Sequence, residues 1–449
     1  MTDLAERRAQ PRSAPHIRTP PPGPRARRHV AFDHAYTSPS LPRAYPLVPV
    51  RGDGAVVEDI DGNLFLDFNA GIAVSATGYG HPRVTAAIER QVASLLHFSA
   101  SDFYLPIYAE LAADLDRVAP IDGATRSFIT NSGTEAVEAA IKLARFHSRR
   151  QYVVAFLGAF HGRSYGSVSL TASKARYHAG FGPLLPGVVH VPFGSAGLDE
   201  LERRVFARLV PPDEVAAIFV EPIQGEGGYI VPDDDFLPRL RELCDRQRIL
   251  LVADEIQSGA GRTGRMWAIE HCGVQPDILL TAKGIASGMP LGAMVARAEL
   301  MTWQAGHHGS TFGGNPVSCA AARATIALLE DELIANAEAR GGEAIDGLRL
   351  MAQDYELVRD VRGKGLMIGV QFDSGATAEA VQWACFQRGL LVLEAGEDAV
   401  RLSPPLIVTA DEVATAVRLF GDAVAEVSRD PQHALQMARQ WTEEDIVGG

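Results

Sequence analysis

The sequence predicts an α/β protein, with a large lobe built on a mainly parallel sheet and a smaller α+β lobe near its C-terminal end. Three observations carry this. From residue 125 onward, short apolar runs alternate with longer stretches of helical spacing. Several runs are too apolar to have one wet face, as expected of strands covered on both sides. Over roughly the last hundred residues the pattern changes to short strands and an amphipathic closing helix.

Residues 1–30 hold seven arginines, six prolines and one serine, Ser13. A targeting peptide would need an amphipathic helix, which the prolines oppose. A disordered arm, or residues translated from ahead of the true start, is expected instead. Order is expected from Tyr45-Pro46-Leu47-Val48-Pro49-Val50. Ala55–Asp59 and Leu64–Phe68 flank an Asp61-Gly62-Asn63 turn and read as a hairpin. Gly71-Ile72-Ala73-Val74 follows. Residues 83–96 have helical spacing through Val84, Ala87, Ile88, Val92 and Leu95.

The apolar runs are Ser127–Thr130, Tyr152–Phe156, Val188–Val191, Val215–Val220, Ile249–Ala253, Ile278–Thr281 and Gly292–Ala296. Residues 321–340 read as helix. Leu366–Phe372, Leu390–Glu394 and Val400–Leu402 read as short strands, and 411–427 as the closing helix. The expected division is an arm over 1–30, a segment over 31–72 joining the small lobe, a large domain over 73–325 and a small domain over 326–449.

Composition excludes several function classes. With 449 residues and a net charge of −13, the chain carries no basic stripe interleaved with aromatics, so nucleic acid is not an expected partner. Cys244, Cys272, Cys319 and Cys385 form no CxxC pair, which fits a reducing cytoplasm and not a structural zinc site. No apolar run reaches the roughly 18 residues of a membrane span.

The candidate chemistry gathers where strands end. Lys283 is one of only four lysines, with Lys142, Lys174 and Lys364, and stands in the uncharged run Asp277–Ala293 after its acidic first residue. Basic residues here are otherwise arginines, which cannot lose a proton, whereas a desolvated lysine can act as an amine. Asn131-Ser132-Gly133-Thr134-Glu135 sits between a strand and a helix, where hydroxyls and free N–H groups suit a phosphate. The same residues also suit a plain helix cap. Asp254 ends a buried strand, where a carboxylate is either paired or part of a site. Gly259–Gly264 matches GxGxxG but lies five residues past its strand and opens no long helix, so a flexible loop is expected. His161 and His178 read as structural, and His307-His308 lacks a metal-ligand spacing. Phe160-His161-Gly162-Arg163, Glu221, Asp254 and Lys283 all fall near the carboxyl ends of strands, the edge where open α/β sheets bind ligands.

A phosphate cradle, a buried aspartate and a lone lysine on one edge suit pyridoxal 5′-phosphate, which has a phosphate, a pyridine nitrogen and an aldehyde. At these residues the chain resembles the class III, fold-type I aminotransferases, the group of 4-aminobutyrate, ornithine and acetylornithine aminotransferases. The motifs NSGTEAVEAAIKLAR, GAFHGRS, VEPIQGEGG, ADEIQSG, TAKGIASGMPLGA and HGSTFGGNP occur in order, and the resemblance runs from Tyr45 to the final helix. It implies a seven-stranded mainly parallel sheet and a homodimer with shared active sites. It implies that Lys283 is the Schiff-base lysine, that Asp254 pairs with the pyridinium nitrogen and that Gln257 meets the ring hydroxyl. It gives Gly133 and Thr134 to the phosphate, with Thr311 contributed across the dimer interface, and Phe160 to the ring face. Arg163 would hold a substrate carboxylate. Glu226 and Arg401 would form a pair that opens so that Arg401 can take a second carboxylate.

Ile72 resembles the aminobutyrate branch, where ornithine enzymes tend to carry an aromatic residue. Tyr45–Gly52 also resembles a branch of amino-acid racemases and broad ω-aminotransferases. The expected reaction is amino transfer in two halves, from an ω-amine such as 4-aminobutyrate to 2-oxoglutarate, with Lys283 as general base and acid. The rivals are a racemase or epimerase on the same residues, and an ornithine, acetylornithine or lysine aminotransferase. A nucleotide-binding dehydrogenase rests only on the GxGxxG match. No metal site is expected.

Overall fold

A computed structural model describes residues 14–439. Strands β1 (Pro49–Asp53), β2 (Val56–Asp59) and β3 (Leu64–Asp67) open the fold. β2 and β3 form the expected hairpin, with Val56 opposite Leu66. Seven strands then build the large sheet: β4 (Thr125–Thr130), β5 (Tyr152–Phe156), β6 (Val188–Val191), β7 (Val215–Val220), β8 (Leu250–Asp254), β9 (Ile278–Thr281) and β10 (Gly292–Arg297). Their order is β4-β10-β9-β8-β7-β5-β6. β5 to β9 pair in parallel, and β10 runs antiparallel to both β4 and β9. The last strands are β11 (Val358–Lys364), β12 (Met367–Phe372), β13 (Leu390–Leu391), β14 (Leu393–Ala395) and β15 (Ala399–Leu402). They make a second sheet, β11-β12-β15-β14, while β13 crosses over to join β3.

The large sheet is apolar on both faces because helices cover both. Leu251 and Ala253 of β8 and Leu279 of β9 enter one core, and their neighbours Val252, Ile278 and Leu280 enter the other. The helix Gly133–Ser148 fills the second core with Val137, Ile141 and Leu143, none more than 3% exposed. Burying such a side chain contributes about 1.5–3 kcal/mol, so this helix is held by its apolar face.

Two expectations are corrected. Residues 1–13 of the expected arm lie outside the described residues, but residues 14–30 are ordered. His16 exchanges backbone hydrogen bonds with Leu64 at 2.8 and 2.9 Å, and Pro24–Tyr36 is a helix. Pro24 stands at the first helical position, where its missing N–H costs nothing, and no proline follows within the helix. The Asp61 carboxylate accepts from Arg25 N and Ala26 N at 2.9 and 2.8 Å, which supplies the cap. The stretch Gly259–Gly264 is buried rather than flexible. Its Arg262 is 2% exposed and donates to the carbonyls of Leu366, at 3.1 Å, and Pro404. Glycine is needed at 259 because a side chain there would strike the Trp267 ring.

Among the described residues no helix is long and apolar enough to cross a membrane. Among them, too, no three metal-ligating side chains cluster.

Candidate active site

The site lies at the carboxyl edge of the large sheet. There Lys283 follows β9, with φ +47°, and Asp254 is the last residue of β8. Phe160–Arg163 follows β5, and the helix Gly133–Ser148 starts just after β4. Arg401 reaches the same place from β15 of the other sheet. A cavity of about 870 Å³ is lined by Ile72, Phe160, Arg163, Glu226, Lys283 and Arg401.

Burial lowers the Lys283 pKa to about 8, although the Glu226 carboxylate opposes the shift. A fraction of its amine is therefore neutral, and so nucleophilic, near physiological pH. Capture of free pyridoxal phosphate by cofactor-free protein should accelerate from about pH 7 and level off above about pH 9, because only the neutral amine attacks. Stopped-flow absorbance measures this rate. A rate still climbing with the slope of an ordinary lysine at pH 10 contradicts the assignment.

Asp254 is 3% exposed, and two donors orient it. His161 Nδ1 lies 2.7 Å from Asp254 Oδ2, and Ile256 N donates to Oδ1 at 3.1 Å. Burial alone would lower the His161 pKa, but the hydrogen bond and charge of Asp254, with the charge of Glu221, raise it. Glu221 is buried too, its pKa lifted by desolvation to about 7. Its carboxylate accepts from Phe160 N at 3.0 Å and Gly225 N at 3.1 Å, which fixes both loops.

Glu226 Oε1 accepts from Arg401 Nη1 at 2.5 Å, with the Arg401 side chain 5% exposed and that of Glu226 18% exposed. Burial would raise the Glu226 pKa, yet the Arg401 charge and hydrogen bond bring it below the usual carboxylate value. The Arg163 guanidinium carbon lies 4.6 Å from the Tyr177 ring centroid and 5.8 Å from that of Phe160. Gln257 is buried and accepts from Tyr229 Oη at 2.9 Å.

Gly133 and Thr134 open their helix, where no preceding turn supplies carbonyls to their N–H groups. Ser132 caps it by accepting from Glu135 N at 3.4 Å, so the cap and an anion-binding helix end coexist here. The Thr134 hydroxyl meets Ser164 Oγ at 2.7 Å and Ser167 Oγ, against the Glu138 carboxylate. Gly162, with φ +126°, lets the chain pass over Thr134 where a side chain would collide.

Thr311 is not brought into this cavity. It is exposed on a loop whose neighbour Ser310 accepts from Asn131 Nδ2 at 3.2 Å. Sequence reasoning missed the contact of His161 with Asp254; its only signal was adjacency to Phe160 at a strand end. It also missed Tyr177 and the N-terminal residues His29, Asp33 and His34, which line the cavity, and Tyr229, which donates to Gln257 and lies by Arg401.

The donor set fits one group: an amine of lowered pKa for an aldehyde, a fixed carboxylate for a pyridine nitrogen, an aromatic ring for its face and a helix N-terminus for a phosphate. Fold and site thus define a fold-type I enzyme that uses pyridoxal 5′-phosphate. Residues 38–424 match the family model for class III aminotransferases, and the chain belongs to that family. It is 37% identical over 442 residues to an alanine/serine racemase of Pyrococcus horikoshii, covering 92% of this chain and 93% of the relative. It is 42% identical over 381 residues to an acetylornithine aminotransferase of Methanopyrus kandleri, covering 85% and 95%. A 4-aminobutyrate aminotransferase of Mycobacterium leprae is 40% identical over 412 residues, with 84% and 91% covered. The ornithine aminotransferase of Toxoplasma gondii superposes with a TM-score of 0.84 at 33% identity, covering 90% of this chain and 96% of that one.

Proposed function

We propose that this transaminase moves the amino group of a 4-aminobutyrate-like ω-amino acid to 2-oxoglutarate, in two half-reactions through one site. The observation that carries the reading is the Glu226–Arg401 pair in the wall of the cavity that holds Lys283 and Arg163. Such a site has to accept a donor with one carboxylate and then a diacid. An arginine left unpaired in a nearly closed wall is costly and would favour the diacid throughout. Paired with Glu226, Arg401 is neutralised for the ω-amine. Released, it grips a second carboxylate.

The bound cofactor supplies an electron sink for the pair left when the reacting carbon loses its proton. Lys283 carries that proton, first as base and then as acid. Arg163 holds the carboxylate common to donor and diacid, with Tyr177 stacked on its guanidinium. Gly133 and Thr134 would hold the phosphate, Gln257 the ring hydroxyl, Asp254 the ring nitrogen and Phe160 the ring face. Thr311 is exposed and outside this chain's cavity, which supports its serving a second copy in a homodimer.

Glu226→Ala is expected to slow the ω-amine half-reaction about a hundredfold, equivalent to roughly 3 kcal/mol, while the glutamate half-reaction changes by less than about threefold. Single-turnover rates of the two halves decide it. Equal losses in both would leave Glu226 a simple turn residue.

The relative named as an alanine/serine racemase, matched over 92% of this chain, supports a second reading. A racemase would use Lys283 but return the proton to the opposite face. Chiral analysis of an amino acid incubated without any oxo acid separates the two readings.

A further inference from the structure

The β11-β12-β15 part of the second sheet places three residues in one row. Its register sets Arg362 of β11 opposite Gly369 of β12, and Gly369 opposite Arg401 of β15. Residues directly opposite each other on antiparallel strands share one face of a sheet. Two arginines therefore stand on one face with a glycine between them, roughly 10 Å apart at two strand spacings. The loop after β7 is seated on that row. Gln224 and Ile230 exchange backbone hydrogen bonds at 3.1 Å and close residues 225–229 into a tight loop that carries Glu226.

The two arginines hold this loop in different ways. Arg401 takes the Glu226 carboxylate. Arg362 takes the backbone: its Nη2 donates to Gly228 O at 2.7 Å, and its Nε reaches Gly228 O and Tyr229 O, both at 3.2 Å. Its Nη1 donates to Asp360 Oδ2 at 2.9 Å and to Gln371 Oε1 at 2.7 Å. All three nitrogens of the fork are thus engaged, and the guanidinium is fixed from its own sheet. Gly369 lets the loop settle between the arginines. A Cβ there would stand 3.0 Å from Gly228 O and 3.1 Å from Tyr229 Cβ, close enough to push the loop away. Gly396 N, in the turn between β14 and β15, donates to Glu226 O at 2.8 Å.

We propose that Arg362 is the positioning residue of the Glu226 switch: it fixes the backbone of the loop, so that only the Glu226 side chain moves when Arg401 turns to a second carboxylate. This rests on reading the Glu226–Arg401 pair as that switch. Arg362 does not line the cavity; it acts through the carbonyls of Gly228 and Tyr229. A glutamate on a fixed loop meets Arg401 again once a diacid has left, so the arginine is neutralised when the ω-amine enters. On a loose loop, Glu226 has more conformational freedom to lose on pairing. Arg401 then spends more time unpaired, which slows the ω-amine half-reaction and leaves the diacid half unharmed.

The test uses the holoenzyme with Arg362→Met, which keeps an apolar stem and removes the donors, and Gly369→Ala, which lifts the loop and leaves Arg362 in place. Each is made alone and together with Glu226→Ala. Alone, each is expected to slow the ω-amine half-reaction about tenfold and to change the glutamate half-reaction by less than about threefold in single turnovers. In the Glu226→Ala background the same substitutions should change the ω-amine half-reaction by less than about twofold, because a residue that acts through Glu226 has nothing left to position. A merely structural role would add its full loss in both backgrounds. Calorimetric titration with glutarate, an unreactive diacid, should show binding about threefold tighter in Arg362→Met, since the incoming carboxylate displaces a looser glutamate. Gly369→Ala carries the same test if Arg362→Met fails to fold. Equal losses in the two half-reactions, a full tenfold loss on top of Glu226→Ala, or weaker glutarate binding overturns the proposal. Equal losses for Glu226→Ala alone refute the switch reading itself, and the role of Arg362 falls with it.

Discussion

Lys283→Ala is expected to cut turnover by at least about a thousandfold, the range lost with a positioned acid–base group, while the subunit still folds. The two halves of that expectation have separate causes. The amine is buried and lines the cavity, and its pKa of about 8 fits proton transfer near neutral pH. The fold does not need its charge, because burial opposes protonation in the folded state. The folded pKa lies below the 10.5 of a free lysine, so the charged form burdens the fold below about pH 8, and that burden fades as pH rises through the folded and then the unfolded value. Alanine removes it. Borohydride reduction of the holoenzyme followed by peptide mapping should place the cofactor on Lys283. Lys174 is the meaningful competitor, since it lines the same cavity, whereas Lys142 is tied to His307 O and His308 Nδ1, both at 2.9 Å. An adduct on Lys174 would move the catalytic amine to the other wall and sink the assignment.

Much of the large sheet was legible because of how parallel strands are buried. Tyr152–Phe156, Val215–Val220 and Ile278–Thr281 begin and end as read, since strands covered on both faces are continuous apolar runs, and so does Val188–Val191, an edge strand that is only partly buried. The edge positions of Asp254 and Lys283 followed from the same runs. What stayed hidden depends on tertiary context. The Pro24–Tyr36 helix forms because a carboxylate from a distant hairpin turn, Asp61, caps it, and composition carries no trace of that pairing. The Gly259–Gly264 stretch looked mobile because glycine marks loops, but here glycine allows close packing. The turn at Ala70–Ala73, with positive φ throughout, runs against local preference, so propensity reasoning could not reach it. His161 lies in the loop after β5 and Asp254 ends β8, and only the fold brings them within 2.7 Å.

That pair makes Asp254 the second position where a large effect is expected. Asp254→Asn should lower kcat by about a hundredfold to ten-thousandfold while the protein retains most of its cofactor. The amide preserves the size of the carboxylate and can still accept from His161 Nδ1. It loses the negative charge that would keep a bound ring nitrogen protonated, and so weakens the electron sink. The phosphate cradle at Gly133 and Thr134 and the Lys283 amine are untouched, so occupancy should fall little. Asp254→Ala adds a second defect. His161 is 1% exposed, and its pKa is raised against burial by the Asp254 hydrogen bond and charge. Without the carboxylate, a buried ring nitrogen loses its partner, which costs about 1–3 kcal/mol. His161 should then become neutral, and the alanine variant should melt below the asparagine variant. Absorbance of the bound cofactor gives occupancy, steady-state kinetics gives kcat, and thermal melts of both variants separate electronic from structural loss. Near-normal kcat at full occupancy in Asp254→Asn would make the aspartate a structural partner of His161 and nothing more.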